Sequence, residues 1–210
     1  MDINTCAKLA SDIIGFDCNN PLVAGVKSRA YIIHHDDINF DTTTITNGVI
    51  TALKLKTGNN AFTATTLPDA IDANVAFAKG TYYNGWEHNF TFRIFDNTPE
   101  IKDQIDKLSK NKFVIIVENN YIKHNAAADE KGNTVFEAYG FYTGLKLKEA
   151  TRDLKDADMK GGYTLTCGCD DNSKEPLLPL TVFIGSSLSA TIAALDSLTA
   201  SALGFSGLEE

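Results

Sequence analysis

No stretch of the chain approaches the run of about 18 apolar residues that a membrane helix requires, so the sequence predicts no spanning helix. Basic residues are also scarce: 19 Lys and Arg stand against 27 Asp and Glu, a net charge of −8. Without a basic stripe, tight binding to nucleic-acid phosphates is not expected. An acidic surface repels DNA, which is compatible with a conduit that lets DNA slide past. Cysteine is sparse, four in 210 residues, too few for a disulfide scaffold. Structural zinc favours C-x2–4-C pairs, whereas Cys167 and Cys169 form a C-x-C and eleven residues separate Cys6 from Cys18. Reduced, buried thiols are the expected state. The opening, MDINTCAKLASD, lacks the charged-then-apolar layout of a secretory signal. The expected compartment is a cytoplasm, or something assembled there.

What is present is ordinary for a folded domain: 43% hydrophobic, 22% charged and 10% aromatic, on a chain long enough to bury a core. Ile3, Cys6, Ala7, Ala10, Ile13 and Ile14 recur at helical spacing. From Arg29 the pattern turns to β, with Tyr31–Ile33 and then a Thr-, Ile- and Val-rich span from Thr44 to Lys56. Gly58-Asn59-Asn60 reads as a turn. Trp86 to Phe95 alternates Trp86, His88, Phe90, Phe92 and Ile94 against Glu87, Asn89, Thr91 and Arg93, which suits a half-buried strand. A helix follows at about 98–110, with Asn97 or Thr98 to cap it, Pro99 in its first turn and Ile101, Ile105 and Leu108 as its apolar stripe. Phe113 to Val117 is apolar on both faces, an interior strand.

Thr134 to Lys148 reads as one long strand carrying Gly140 and Gly144, glycines that often mark bulges or close backbone approach. Glu149 to Gly162 is charged and loop-like. Tyr163, Leu165, Cys167 and Cys169 alternate with Thr164, Thr166 and Gly168, placing both thiols on the core face of one strand. Leu177 to Ile184 reads as a last strand, with Pro179 near an edge. Beyond Gly185 the chain becomes rich in Ser, Ala, Thr and Leu, and Leu188, Ile192, Leu195 and Ala202 make a weak helical face. The fold class is therefore α+β, mostly β: a β-sandwich or partial barrel with one flanking helix. Residues 1–185 form a single mostly-β domain with an N-terminal arm or helix, and 186–210 a C-terminal arm or tail.

The chemical candidates are few. In YIIHHDDINFD, Tyr31 to Asp41, strand alternation sends His34 and Asp36 to one face and His35 and Asp37 to the other. Two donors on a side are too few for a catalytic zinc without His88 or His124. Asp37 to Asp41 opens like a calcium loop, but Thr42 stands where glycine is needed and Gly48 where the closing acid belongs. Asp156 to Gly161 fails as well, with Lys160 at a ligand position. Both segments read as solvated turns whose carboxylates bond nearby backbone. No nucleophile elbow and no phosphate loop occurs, since Gly185-Ser186-Ser187 lacks the following glycine. No catalytic, cofactor or metal residue is assigned, and the expectation is a protein that is not an enzyme.

Several segments in order carry a resemblance: Cys18-Asn19-Asn20-Pro21-Leu22-Val23-Ala24-Gly25-Val26-Lys27, Tyr31-Ile32-Ile33 with Asp36-Asp37, and His88 to Phe95. The capped helix, Val114 to Asn119, Phe136 to Leu145, Gly162 to Thr166 and Glu175-Pro176 follow. Together, from about Cys6 to Phe183, they resemble virion structural proteins of tailed phages infecting Bacteroidetes, including the crAss-like group, particularly tail-tube or tail-ring subunits. The resemblance implies a tail-tube-like sandwich or partial barrel. It implies a non-enzymatic bacteriophage tail protein in a homo-oligomeric ring, a hexamer favoured, within the tail tube, hub or head–tail connector. It also implies other virion tail proteins as neighbours, DNA passing through an acidic lumen without specific binding, no membrane, no cofactor, and a virion location after assembly in the host cytoplasm. Two other readings stand behind it: a carbohydrate- or protein-binding β-sandwich module using Tyr82, Tyr83 and Trp86, and a metal-dependent enzyme using His34, His35, Asp36 and Asp37.

Overall fold

The computed structural model describes residues 20–80, 84–123, 127 and 131–199. The helical pattern at 3–14, Tyr82, Tyr83, His124 and Ala202 lie outside them. Eleven strands form one hydrogen-bonded sheet: β1 Val26–His34, β2 Thr44–Thr46, β3 Val49–Ala52, β4 Phe62–Thr65, β5 Ile71–Ala78, β6 Gly85–Ile94, β7 Phe113–Asn119, β8 Phe136–Tyr139, β9 Leu145–Arg152, β10 Tyr163–Cys169 and β11 Leu180–Val182. The helices are α1 Pro99–Leu108 and α2 Leu188–Ser197. The strand path runs β2-β3-β11-β8-β7-β9-β10-β6-β5, with β1 on the other side of β7 and β4 beyond β1. The protein is mostly β, with two helices, and the sheet does not close into a barrel.

β7 is the pivot, because its apolar residues point both ways. Val114 and Ile116 enter one cluster with Tyr31, Ile33, Phe136, Ala138, Leu180, Val182 and Leu195. Phe113, Ile115 and Val117 enter a second with Ala30, Ile71, Phe90, Leu145, Cys167 and Cys169. The second cluster draws on β1 and β7 as well as β5, β6 and β10, so the sheet folds over and packs on itself, the sandwich arrangement. The first lies on the opposite face, covered by α2.

The alternation in β6 and the C-x-C of β10 fall as their spacing predicts, with His88, Phe90, Cys167 and Cys169 all buried. In α1 the Thr98 hydroxyl accepts from Ile101 N–H, and Asp103–Lys107 and Asp106–Lys110 pair at 2.6 and 2.9 Å.

Four local readings need correcting. Thr44–Lys56 is a hairpin: Asn47 and Gly48 adopt φ of 50° and 78°, the left-handed pair of a tight two-residue turn between β2 and β3. Thr134–Lys148 is not continuous. β8 pairs with β7 from Glu118↔Phe136 to Ile115↔Tyr139, and the next pair is Phe113↔Leu145, so the chain leaves the ladder over Gly140–Gly144 and rejoins the same edge of β7. Glu149–Arg152 is strand rather than loop, paired to β10. The last strand is only Leu180–Val182, since Leu178 is exposed and Pro179 has no amide hydrogen for a ladder. The helical face at Leu188–Leu195 is a second helix, α2, with Leu195 fully buried.

Candidate functional site

The most polar part of the interior is the clip that holds Gly140–Gly144. Glu175, 1% exposed, accepts through Oε1 from the Thr143 N–H at 2.7 Å and the Thr143 hydroxyl at 2.8 Å, and through Oε2 from the Tyr142 N–H at 3.1 Å. Its own backbone bridges Trp86 in both directions, at 2.7 and 3.0 Å. His88, also 1% exposed, accepts the Gly140 N–H at Nδ1 (3.1 Å). Its Nε2 therefore carries the hydrogen and donates to the Leu177 carbonyl at 3.0 Å. A buried, neutral imidazole follows, and burial lowers its pKa to about 4. Gly140 and Gly144 are required where they stand: both have positive φ, and a Cβ on Gly140 would lie 2.5 Å from Leu145 Cγ.

Every strong acceptor in this cluster is turned to backbone of its own chain. Burial pushes the Cys167 thiol up to about 12, and that of Cys169 also upward, so neither is a ready nucleophile. The arrangement positions loops; it does not present a reacting group.

The His34–Asp37 cluster separates. His34 ends β1 with its ring against Phe113 and Phe62, centroids at 4.8 and 5.9 Å, while His35 starts a single 3-10 turn and bonds the Tyr142 carbonyl at 3.1 Å. Asp36 points to solvent, and Asp37 accepts from the Asn59 amide at 2.7 Å. Among the described residues no three His, Cys, Asp or Glu converge as metal ligands. Asp156 accepts from the Asp158 and Met159 amides, a solvated turn as its composition predicts. Trp86 packs edge-on against Phe77 at 5.4 Å.

The feature with most bearing on function is β5. It pairs along its whole length with β6, from Ile71↔Phe92 to Ala78↔Gly85, and ends the strand path. Arg93 N–H donates to Ala70 O, and Trp86 directs its N–H and C=O to Glu175 rather than to Phe77. The amides of even-numbered β5 residues therefore face β6, and those of Ile71, Ala73, Val75 and Phe77 face outward. Beside the first half runs a groove of ≈ 510 Å³ lined by Gly25, Val26, Ile71, Asp72 and Asn74, and none of the clip residues reaches it. Towards the other end Phe77 is 58% exposed. The strand holds no proline and no lysine, and its one charge, Asp72, is paired to Arg93 at 2.7 Å. The usual devices that blunt an edge are missing from it.

The outer face of β5, β6 and β10 is polar: Asn74 beside Asn89, and Asp72, Thr91 and Thr166 in one row. Its cations are held by acids, Arg93 by Asp72 and Lys148 by Glu87 and Asp171. Lys148 reaches across because Gly168 has no side chain in its path; a Cβ there would meet Lys148 Cδ at 3.1 Å.

No family model matches the chain, and no curated protein or solved structure matches it. Sequence reasoning overlooked β4 and β5 altogether. For β5 the signal is faint, since IDANVAFA is half alanine and asparagine, residues that sheets disfavour.

Proposed function

We propose that the chain is a non-enzymatic structural subunit of a tailed-phage virion, assembling into tail rings that form a conduit for DNA. The observation that carries this reading is the open, unblunted edge of β5. An outward row of amide and carbonyl groups is a template for another strand. The strand path has different strands at its two ends, β5 and β2, so edge pairing between copies is head to tail. Such heterologous contacts give a ring when the rotation closes, six copies being the favoured number. The polar outer face, with its cations already paired and the chain at net −8, suits a lumen past which DNA slides.

Negative-stain images of the purified chain at virion-like concentration are expected to show rings. Val75→Pro removes one outward N–H while leaving the β5–β6 ladder its bonds, and is expected to yield folded monomers. A wild-type chain that stays monomeric, or a Val75→Pro variant that still forms rings, would sink the proposal.

A further inference from the structure

β4 is a second strand with an outer edge. Among the described residues it pairs only with β1, in the register Arg29↔Thr65 to Ile32↔Phe62. Thr66 N–H donates to Ser28 O in the same register, so the amides of Phe62 and Ala64 face β1. Those of Ala61, Thr63 and Thr65 face away. On that outer side Ala61 N–H donates to Leu198 O at 2.7 Å, and Ala61 and Thr199 form a parallel bridge.

The chain reaches this bridge from a fixed direction. Leu195 of α2 is fully buried, and Asp196 is bound by Arg29 and by the Tyr31 hydroxyl, both on β1. Thr199 is itself 7% exposed. The chain therefore leaves Thr199 already in ladder register and heading along β4, with residues 200–210 still to come.

We propose that Ala200–Leu203 continue as a parallel strand on the outer edge of β4 of the same molecule. The bridge sets the register: Ser201 falls opposite Thr63, and Leu203 opposite Thr65. Thr63 N–H then donates to Ala200 O, Ala202 N–H to Thr63 O, and Thr65 N–H to Ala202 O, the slanted pattern of a parallel pair. Ala200-Ser201-Ala202-Leu203 has no proline and no charge to oppose this, and Gly204 then frees the chain to turn away. Ala200 and Ala202 fall on the face of Phe62, which is 49% exposed without them. The tail thus closes one edge and leaves β5 open. This holds whether or not the chain forms rings; where it does, copies meet through β5 and not through β4.

Amide exchange compares the full chain with one ending at Thr199, both dilute. Thr63 and Thr65 are expected to exchange on the order of tenfold slower in the full chain, with Ile32 and Ile116 unchanged as controls of folding. In the full chain Ala202→Pro removes a ladder donor and is expected to abolish the protection, whereas Ser201→Pro, whose N–H faces outward, is expected to keep it. Equal rates in the two chains would overturn the proposal, as would equal damage from the two proline variants. Protection that grows with protein concentration would overturn it too, since the strand would then come from a second copy.

Discussion

His88 has a backbone partner at each ring nitrogen, and that makes its protonation a structural event. Adding a proton at Nδ1 turns the acceptor of the Gly140 N–H into a second donor facing it. The unfolded side chain titrates near its ordinary value of 6.5 and the folded one at about 4, so the unfolded state binds more protons between those limits. The stability it contributes is complete above about pH 6.5 and is lost as pH falls through 4, on the order of 3 kcal/mol across the window. Urea unfolding at pH 7.5 and 5.0 is expected to show the loss. In His88→Asn the amide oxygen can still accept from Gly140 but does not titrate. That variant is expected to be weaker at neutral pH, because the Leu177 carbonyl loses its donor, and flatter below it. An unchanged slope in the variant would assign the acid sensitivity elsewhere.

Among the elements, α2 shows how far packing outruns local pattern. Its stripe of Leu188, Ile192 and Leu195 is modest in sequence, yet Leu195 is fully buried against the β7 core and the Thr191 hydroxyl donates to the Ile184 and Ser187 carbonyls. Leu195→Ala is expected to lower stability by about 2–5 kcal/mol, read from a denaturant midpoint at unchanged slope. A loss under 1 kcal/mol would mean the helix is only laid on the surface.

The strands legible in the chain were those whose pattern the core enforces: Phe113 to Val117, apolar throughout because both faces are covered, and Trp86 to Ile94, alternating because one is. Asn47-Gly48 was legible too and went unread, though few dipeptides mark a hairpin more strongly. β4 and β5 were not legible, because edge strands bury little and need no apolar signature. The clip was hidden for another reason: His88, Gly140 and Glu175 are far apart in the chain and meet only through sheet register. The two histidines that caught the eye, His34 and His35, are neighbours in sequence and part at the end of β1.

At the scale of the whole molecule, the two parts of the sheet share a line of chain. β8 and β9 lie on the same edge of β7, yet β8 carries β11, β3 and β2 while β9 carries β10, β6 and β5. Neither set of strands can detach without breaking that line or the core packed over it. Heating is therefore expected to give one transition, with calorimetric and van't Hoff enthalpies in agreement. Two separable steps would show that the halves are independent.

That shared line also bears on motion. A molecule whose halves are stitched through Gly140–Gly144, with Glu175 and His88 pinning the stitch, has no seam about which to bend. Within a stack of rings it would behave as a stiff wedge, passing a tilt or twist from one neighbour to the next undiminished.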